Sequence, residues 1–532
     1  MSTINLAREI VSRKQDPNKN AYLYGGAGLS YGRLFQRAAS LAQELKALGL
    51  VSRQRIVIFL YDTPAVAEVF LAALAMGAIP VVVNPRLGRD SLSHILSDSE
   101  AALLVCEYDN LALASAVAAT THAPRLLLQD CYKTAAATAP EAGADTTVPR
   151  LSALTQHEHA FQFTLIGPDE AAFWQYTSGT TGRPKAVQHC SATMLENSEA
   201  FAVRTHGLTS EDVFYSAAKM FFGYGFGASF FFPLLLGASA VLDPAMPSND
   251  VAALRNIATY RPTAIFCAPA LYASLLNHAE RLKPYLGHRA LCVSAGSSLP
   301  KSIFERWRTA LGIAICDGIG STEMGHIFVA NTRVAVKAGT TGRAVDGYAL
   351  KLIAPDSAEP GMDPDAGILC VKGAHPHLGY WNRPEASAAK FVDGWYVTGD
   401  LFTRDAQHFY TYRGRCDDLF KANGIWVTPL AIESEILMRL PQVLECALVP
   451  HQGDTELAEP LLFCVIDPKL STRDDGVAAI HALLGAVCEK HSQPKRVVAL
   501  EVLPRNDNGK VSRAALSALS LEPTRQAQEA VA

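Results

Sequence analysis

The sequence predicts an α/β protein with a large N-terminal domain of parallel or mixed sheets covered by helices, and a small α+β C-terminal domain. Three observations carry this prediction. The chain has 532 residues, which is more than one hydrophobic core usually organises. Short β-branched runs alternate with Ala- and Leu-rich helical stretches over most of the chain. The pattern then changes twice toward the C-terminus.

The alternation in the N-terminal part predicts parallel strands joined by helices. It begins with RIVIFL, AVAEVFLAALAMGA, PVVV, SLSHILSDSE and ALLVCE, a succession of strand, helix, strand, helix and strand. It resumes with three buried-strand runs, AIFCAP, ALCVSAG and IAICDGIG, which all end in small residues. Because ligands bind at the carboxyl ends of such strands, we expect the ligand sites to lie there.

Two changes of pattern divide the rest of the chain. From about residue 340, the runs YALKLIA, GILCVKG and HFYTYRG are shorter, alternate more strictly and are separated by turn residues, which predicts a small antiparallel barrel. Farther on, AIESEILMRL, ECALVP, LLFCVID and AAIHALLGAVCEKH predict a compact α+β unit. We place the main boundary at 415–417, which gives an N-terminal domain over 1–416 and a C-terminal domain over 417–532.

Composition argues against several classes of partner. A formal net charge of −4 gives no global basic surface, so neither nucleic acid nor an anionic membrane is expected as the main partner. The N-terminus lacks the apolar core of a signal peptide, and no apolar run reaches membrane-spanning length, which predicts a cytoplasmic protein. The eleven cysteines never form C-x-x-C, so we expect reduced, mostly buried thiols.

The stretch YTSGTTGRPKAVQH, residues 176–189, has the composition of a phosphate-binding loop. Glycines free backbone N–H groups, hydroxyls donate hydrogen bonds, and one lysine adds a cation. The spacing is not that of a P-loop, since only two residues separate the glycines. Taken alone, the stretch is equally compatible with a flexible turn. The residues expected to bind phosphate are Thr177, Ser178, Gly179, Thr180, Thr181, Gly182 and Lys185.

Four more motifs follow this loop in order. They are GIGSTEMGH (318–326), GWYVTGDLF (394–402), GRCDDLFKANGIWVTP (414–429) and PRNDNGKVSRAAL (504–516). Together with the loop, they resemble the adenylate-forming (ANL) superfamily of acyl- and aryl-CoA ligases, adenylation domains and luciferases, and the resemblance covers nearly the whole chain. It implies ATP, Mg²⁺ and coenzyme A as co-substrates or cofactor, and a carboxylic acid that is joined to AMP before a thiol displaces AMP.

The resemblance assigns the catalytic and metal-binding positions. Glu323 matches the Mg²⁺ ligand and Thr322 the residue that helps to place the α-phosphate, although a Ser or Thr here also suits a helix N-cap. Lys510 matches the mobile catalytic lysine, which is otherwise an ordinary surface lysine in an Asn/Asp/Gly turn. No protein nucleophile is needed for this chemistry, which agrees with the lack of a G-x-S-x-G elbow.

The nucleotide and CoA positions come from the same resemblance. Asp400 matches the carboxylate that accepts both ribose hydroxyls, or is a turn aspartate, and Arg415 matches its basic partner. Asp417 matches the hinge of domain alternation, while Lys421 and Gly424 match the CoA tunnel or are simple hairpin residues. The adenine slot, or ordinary strand-end turns, comprises Ala295, Gly296, Ser297, Asp317, Gly318 and Ile319.

The acid pocket resembles the benzoate–CoA ligase subgroup and, within it, is most similar to anthranilate–CoA ligases. The stretch KMFFGYGFGASFFFPLLLGASAVLD offers an aromatic and glycine-rich wall for a flat ring. Gly223 and Gly325 stand where benzoate-type members carry larger residues, and we interpret them as space for an ortho substituent. The expected pocket residues are Phe222, Gly223, Tyr224, Gly320, Gly325 and His326.

Several alternatives stay open at this point. His326 could bond the carboxylate or amine of the substrate, or be a structural histidine satisfied by backbone. The acid could be benzoate or a hydroxybenzoate, and the acceptor a carrier protein instead of CoA. A regulator that kept the fold and lost activity is disfavoured, because Lys510, Glu323, Asp400 and Arg415 are all present. A homodimer is compatible with the sequence, which is otherwise silent on oligomeric state.

Overall fold

The structure is a computed structural model of the chain. It describes residues 3–13, 15–121, 124–132, 148–177, 183–287, 289–354, 365–373, 375, 377–422, 425–452, 458–505 and 511–520. The chain divides into two compact units. The first comprises Met1–Leu299, Ile303–Leu350 and Val371–Val397, and the second Pro300–Ser302, Lys351–Cys370 and Thr398–Ala532.

Fifteen strands build the two large sheets. They are β1 (Asn20–Tyr24), β2 (Ala27–Ser30), β3 (Arg55–Phe59), β4 (Ile79–Val82), β5 (Ala101–Glu107), β6 (Arg125–Gln129), β7 (Ala171–Thr177), β8 (Lys185–Cys190), β9 (Val213–Ser216), β10 (Ser239–Val241), β11 (Ala264–Cys267), β12 (Leu291–Ser294), β13 (Ile315–Gly320), β14 (Ile327–Ala330) and β15 (Arg343–Ala344).

The helices of this part of the chain lie between and around those strands. They are α1 (Leu6–Val11), α2 (Tyr31–Ala47), α3 (Pro64–Ala75), α4 (Arg89–Ser99), α5 (Leu111–Ala118), α6 (Leu151–Leu154), α7 (Ser191–Asn197), α8 (Gly223–Phe226), α9 (Phe232–Leu236), α10 (Asp250–Tyr260), α11 (Pro269–Leu276), α12 (Ala279–Leu282), α13 (Lys301–Leu311) and α14 (Pro384–Lys390). Two π-helical segments, Ser198–Thr205 and Gly227–Phe231, continue α7 and α8.

The two large sheets are mainly parallel, as the alternation of strands and helices predicts. The six-stranded sheet has the order β6-β5-β3-β4-β7-β8, and only the β7–β8 pair is antiparallel. The nine-stranded sheet has the order β15-β14-β13-β12-β11-β9-β10-β1-β2, with a parallel centre from β13 to β1. Helix α3 is apolar on nearly every face and every residue of it is buried, which makes it part of the main core.

A third, antiparallel sheet contains β16 (Ala349–Ile353), β17 (Ala366–Lys372), β18 (Phe391–Val392), β19 (Trp395–Arg404) and β20 (Tyr410–Arg415). A small antiparallel barrel was predicted from about residue 340, and the sheet found there is a curled half-barrel. The second unit continues with β21 (Phe420–Ala422), β22 (Ile425–Val427), α15 (Pro429–Arg439), β23 (Val443–Gln452), β24 (Ala458–Ile466), α16 (Arg473–Val487), β25 (Arg496–Ala499) and α17 (Arg513–Ser520).

The predicted fold class is confirmed, because mixed α/β sheets, a curled antiparallel sheet and a small α+β unit are all present. The domain boundary at 416/417 and the mobility of the C-terminal domain stay predictions. Among the residues that the structure describes, no helix is long and apolar enough to cross a membrane. Most of the cysteines are buried, and burial raises the pKa of the Cys106 thiol to about 12.

Candidate functional site

The carboxyl ends of three neighbouring parallel strands bring together the two segments predicted to form the adenine slot. Cys267 at the end of β11 is in register with Ser294 at the end of β12, and Ser294 with Asp317 in β13. Ala295–Ser297 therefore starts beside the segment Asp317–Ile319. Burial raises the pKa of the Asp317 carboxyl well above its usual range. The position agrees with the expectation that ligands bind at these strand ends, while the adenine role stays a prediction.

The turn that carries Glu323 connects β13 to the antiparallel strand β14. The Gly325 N–H donates to the Thr322 carbonyl oxygen at 3.0 Å, and the Met324 N–H donates to Ser321 Oγ at 3.2 Å. Ser321 therefore caps this turn as the alternative interpretation expected, but a strand follows it and not a helix. The capped turn leaves the Glu323 side chain only partly buried.

Tyr380 is a candidate site residue that the sequence did not reveal. Its hydroxyl donates to Glu323 Oε1 at 2.8 Å, and the Lys185 Nζ lies 5.7 Å from the centroid of its ring, within cation–π range. Backbone hydrogen bonds hold the segment against β8, since the Gln188 N–H donates to the Gly379 oxygen and the Trp381 N–H to the Ala186 oxygen. Tyr380 thus joins the predicted metal ligand to the predicted phosphate-binding lysine.

The phosphate-binding loop is described only at its ends. Thr177 and Lys185 are antiparallel partners at the ends of β7 and β8, so the two strands form the base of a hairpin. Ser178, Gly179, Thr180, Thr181 and Gly182 lie outside the described residues. Within the described part of the chain, no group of three or more His, Cys, Asp or Glu side chains could hold a metal ion. The single carboxylate of Glu323 suits Mg²⁺, which is commonly bound by one or two carboxylates, waters and substrate phosphates.

The second unit brings together the two residues predicted to bind ribose. Asp400 in β19 and Arg415 in β20 are antiparallel partners, and Arg415 Nη1 lies 3.3 Å from Asp400 Oδ1. Asp400 lies inside a strand, so the alternative of a turn aspartate is wrong. Burial opposes the charge of Arg415, but the carboxylates of Asp400 and Asp417 raise its pKa above the ordinary value. A paired carboxylate at this position remains able to accept hydroxyl donors.

The remaining predicted residues of the second unit are only partly described. Asp417 lies in a short 3₁₀ turn, Cys416–Asp418, and pairs with Arg415 at 3.4 Å. Lys421 in β21 places its Nζ 4.8 Å from the ring centroid of Trp426 in β22. Gly424 and Lys510 lie outside the described residues. The hinge, tunnel and catalytic roles therefore stay predictions.

The predicted wall of the acid pocket begins at α8. Phe222 is its N-cap, and the Tyr224 hydroxyl donates to the Val293 oxygen at 2.9 Å, beside the end of β12. His326 Nε2 lies 3.3 Å from the Tyr224 backbone oxygen, and its ring packs against Phe201 and Phe232. The structure thus brings Tyr224 and His326 together, although they are far apart in sequence.

The contacts of His326 match the open alternative of a structural histidine that is satisfied by backbone. The side chain is only 2% exposed, and burial lowers its pKa to about 3, so the imidazole is neutral near neutral pH. Since a carbonyl oxygen only accepts hydrogen bonds, Nε2 carries the proton and donates to the Tyr224 oxygen. Nδ1 is then an acceptor, and it has no hydrogen-bond partner among the described residues.

Three glycines of the predicted pocket are required by close packing and not by open space. A Cβ on Gly223 would lie 2.8 Å from the Gly325 carbonyl oxygen, and one on Gly320 would lie 2.4 Å from the His326 oxygen. Gly325 has a φ of +80°, a left-handed conformation, and its Cβ would meet Asn197 Nδ2 at 2.8 Å. Our interpretation that Gly223 and Gly325 widen the pocket is therefore corrected. Gly223 permits close approach of the Gly325 backbone, and Gly325 permits a left-handed turn packed against side chains of α7.

An apolar cavity of about 560 Å³ lies elsewhere in the first unit. It is lined mainly by aliphatic side chains, including Leu45, Leu50, Leu103 and Leu127, near the amino ends of β5 and β6. Because ligand sites of such sheets form at the carboxyl ends of the strands, this cavity is not the candidate site.

Comparisons with known proteins extend over almost the whole chain. The family described as AMP-binding enzymes matches residues 11–381. The anthranilate–CoA ligase of Pseudomonas aeruginosa is 39% identical over 525 residues, 98% of this chain and 97% of that protein. The 4-hydroxybenzoate–CoA/benzoate–CoA ligase of Rhodopseudomonas palustris is 35% identical over 513 residues, 94% of this chain and 91% of that protein. The crystal structure of the anthranilate CoA ligase AuaEII in complex with anthranoyl-AMP has a TM-score of 0.87, at 26% identity and 97% coverage of both chains.

Proposed function

The chain belongs to the family of AMP-binding enzymes, and we propose that within this family it is an anthranilate–CoA ligase. The observation that carries the proposal is the 39% identity to the Pseudomonas aeruginosa anthranilate–CoA ligase over 98% of the chain. The protein is an acid–thiol ligase, and its co-substrates are ATP and coenzyme A. Its other partners are a small aromatic acid and Mg²⁺. We also propose that the protein is cytoplasmic, and a homodimer stays a prediction.

The proposed reaction has two steps, and neither needs a protein nucleophile. In the first, a carboxylate oxygen of anthranilate attacks the α-phosphorus of ATP, and the bond to diphosphate breaks. In the second, the CoA sulfur attacks the carbonyl carbon of the acyl adenylate, and AMP leaves with the bonding electrons. Glu323 would hold Mg²⁺, which neutralises phosphate charge when bound.

The residues of the chain would orient and stabilise these steps. Lys185 lies at the end of the predicted phosphate loop, where its charge would offset that of the phosphates. Asp400 would accept the ribose hydroxyls, with Arg415 holding the carboxylate in place. Tyr224 would provide part of the flat wall for the ring, fixed by its hydrogen bond to the Val293 oxygen.

His326 is held by backbone at the predicted wall of the acid pocket. Its Nε2 donates to the Tyr224 oxygen, which supports the alternative of a structural histidine satisfied by backbone. Its Nδ1 is buried, and the whole side chain is only 2% exposed, so this acceptor is not presented to a bound acid. A contact of His326 with the carboxylate or amine of the acid stays a prediction.

The experiment that tests the proposal is AMP release with MgATP and CoA for matched concentrations of five acids. They are anthranilate, benzoate, 2-hydroxybenzoate, 4-hydroxybenzoate and an aliphatic acid. We expect the highest kcat/KM for anthranilate. A higher value for benzoate or a hydroxybenzoate would contradict the substrate assignment but not the ligase activity. Acid-dependent diphosphate exchange without CoA turnover would identify a carrier protein as the acceptor.

Substituting Gly223 with alanine tests the backbone contact beneath the pocket wall. The new Cβ would lie 2.8 Å from the Gly325 oxygen, so the Gly325–His326 segment or the start of α8 must shift. We expect the ratio of kcat/KM for anthranilate over benzoate to fall several-fold, and stability to fall by about 1–3 kcal/mol, as for overpacking. Steady-state kinetics with both acids and urea unfolding measure the two effects.

Gly485→Ala is the matched control for that substitution. Gly485 lies in α16 and a Cβ there meets nothing within 4 Å. This variant should keep the parental acid preference. An unchanged preference in Gly223→Ala would show that the contact with Gly325 does not shape the acid site.

A further inference from the structure

Three charged side chains are buried beneath the segment that carries the acid-pocket wall. Asp62 follows β3, Lys219 follows β9 and Asp243 follows β10, and they are only 4%, 3% and 4% exposed. Strand β3 belongs to the six-stranded sheet, whereas β9 and β10 belong to the nine-stranded sheet. The cluster therefore lies where the carboxyl ends of strands from both sheets approach one segment.

Each sheet contributes one polar anchor to that segment. Both carboxylate oxygens of Asp62 accept the Met220 N–H at 3.2 Å. Lys219 Nζ donates to the Asp243 backbone oxygen at 2.6 Å. The Phe222 N–H donates to the Lys219 oxygen at 2.9 Å, so the anchored residues are bonded directly to the N-cap of α8. A shift of Asp62 or Lys219 would therefore move Met220 or Phe222, which adjoin or belong to the predicted wall.

The anchors are costly groups to bury. Desolvation lowers the pKa of Lys219, and the nearby carboxylates of Asp62 and Asp243 oppose this shift. An apolar side chain could fill the same space without that cost, but it would not fix a backbone N–H at one position. Binding sites need such fixed support, because the residues that touch a ligand must be held by packing and hydrogen bonds behind them.

We infer that Asp62 and Lys219 are positioning residues for the aryl acid, which hold the segment 220–224 so that its wall meets the ring in one orientation. This inference rests on the proposed function, since it takes Phe222, Gly223 and Tyr224 as the wall of the acid site. It does not involve the phosphate-binding or ribose-binding residues. The two anchors therefore act on recognition of the acid and not of ATP.

The charge state of Asp62 gives the inference a distinctive consequence. Burial raises the pKa of Asp62 to about 6, while Lys219, the Met220 N–H and Arg86 lower it and Asp243 raises it. Tyr22 also faces Asp62; burial, and to a smaller extent the charges of Tyr31 and Asp62, raise the pKa of Tyr22 well above its ordinary value, so this tyrosine is neutral near pH 6. A protonated carboxyl accepts a hydrogen bond less strongly than a carboxylate. As the pH falls through about 6, the anchor on Met220 weakens and the apparent KM for the acid rises.

The experiment compares Asp62→Asn and Lys219→Met with the parent protein in steady-state kinetics for anthranilate and for ATP. We expect KM for anthranilate to rise about tenfold in each variant, as misplacement of a binding group does, and KM for ATP to stay within about twofold. Equal increases in both KM values would overturn the inference, because they would indicate general distortion. If Asp62→Asn does not fold, Lys219→Met tests the same claim alone.

Glu107→Gln is the matched control for the pH dependence. Glu107 is also a buried carboxylate at the end of a strand, its pKa is raised to about 7 by burial, and it accepts the Tyr61 N–H at 3.2 Å. It makes no hydrogen bond to the wall segment among the described residues. Glu107 bonds to the neighbour of Asp62 but to neither anchor, and the amide oxygen of a glutamine can still accept the Tyr61 N–H. Glu107→Gln therefore removes a titrating group while it keeps this backbone hydrogen bond and both anchor hydrogen bonds.

The pH profile of kcat/KM for anthranilate separates the two carboxylates. We expect kcat/KM of the parent and of Glu107→Gln to fall below about pH 6, which gives an inflection in the profile. Asp62→Asn should lack this inflection. Titration of the substrate itself affects all three proteins equally. Survival of the inflection in Asp62→Asn, or its loss in Glu107→Gln, would overturn the inference. A parent protein that activates no aryl acid would refute the proposed function instead, whereas an active parent with unaffected variants refutes only this inference.

Discussion

The Lys510→Ala variant is expected to form anthraniloyl-AMP about 100- to 1,000-fold more slowly than the parent, the usual cost of removing a group that stabilises developing charge. A lysine carries its charge on a long flexible stem, which can reach the attacking carboxylate and the α-phosphate region together. In the second step the thiol attacks a carbonyl carbon and AMP is already a good leaving group. Thioester formation from supplied anthraniloyl-AMP should therefore change only a few-fold.

The residues that flank Lys510 make contacts of their own, so Lys510→Ala is expected to fold as the parent does. Arg505 and Val511 form a β-bridge on either side of the segment 506–510. Arg513 donates to Glu433 at 2.8 and 2.9 Å and to the Leu448 oxygen at 2.7 Å. These bonds hold the residues on both flanks of the segment 506–510.

The two half-reactions are measured separately in this test. Adenylation is followed as diphosphate release in a single turnover without CoA, and thioester formation as CoA consumption with synthetic anthraniloyl-AMP. Lys469→Ala, which removes an exposed lysine of the same unit, should match the parent in both. Equal losses in both half-reactions of Lys510→Ala would refute its assignment to adenylation.

The parts of the fold that the sequence predicted are those that local composition determines. The run RIVIFL became β3 and AIESEILMRL became α15, because β-branched and amphipathic patterns are properties of short stretches. The hairpin of β1 and β2 was not predicted. It joins the nine-stranded sheet through parallel pairing of β1 with β10, a contact between residues more than two hundred positions apart. Such pairing leaves no trace in a local pattern.

The candidate site residues were assigned from motifs, and the interpretation of a glycine was wrong where close approach of backbone decides the packing. Glu323, Asp400 and Arg415 were assigned from their motifs; the structure gives the last two a direct contact, and their roles stay predictions. Tyr380 was missed, because a single tyrosine in HLGYWNRPE carries no periodic or compositional signal. Gly223 was interpreted as a residue that leaves space in the pocket. A Cβ at this position would instead lie 2.8 Å from the Gly325 carbonyl oxygen, in the turn that connects β13 to β14. The sequence alone does not show how closely two backbone segments approach each other.

Substitutions of Glu323 and Tyr380 are expected to weaken adenylation and to change its dependence on Mg²⁺. Glu323→Gln keeps the size of the side chain and removes the charge that would hold Mg²⁺, so we expect adenylation to fall by about 100-fold or more. Tyr380→Phe removes only the hydroxyl that donates to Glu323 Oε1 at 2.8 Å. Loss of such an outer partner usually costs about 10- to 100-fold in metal affinity or activity. We therefore expect the Mg²⁺ concentration for half-maximal adenylation to rise about tenfold in Tyr380→Phe.

The measurement is the rate of anthraniloyl-AMP formation against free Mg²⁺ at saturating ATP. Tyr31→Phe is the matched control, because it also removes a buried hydroxyl, one that donates to the Pro233 and Ala238 oxygens far from Glu323 in the chain. This control should leave the Mg²⁺ dependence unchanged even if it costs stability. If Tyr380→Phe and Tyr31→Phe behave alike, the hydroxyl of Tyr380 supports the fold and not the metal. If Glu323→Gln loses activity with an unchanged Mg²⁺ midpoint, the carboxylate acts on the substrate directly, and the metal must be held by the phosphates of ATP and other groups.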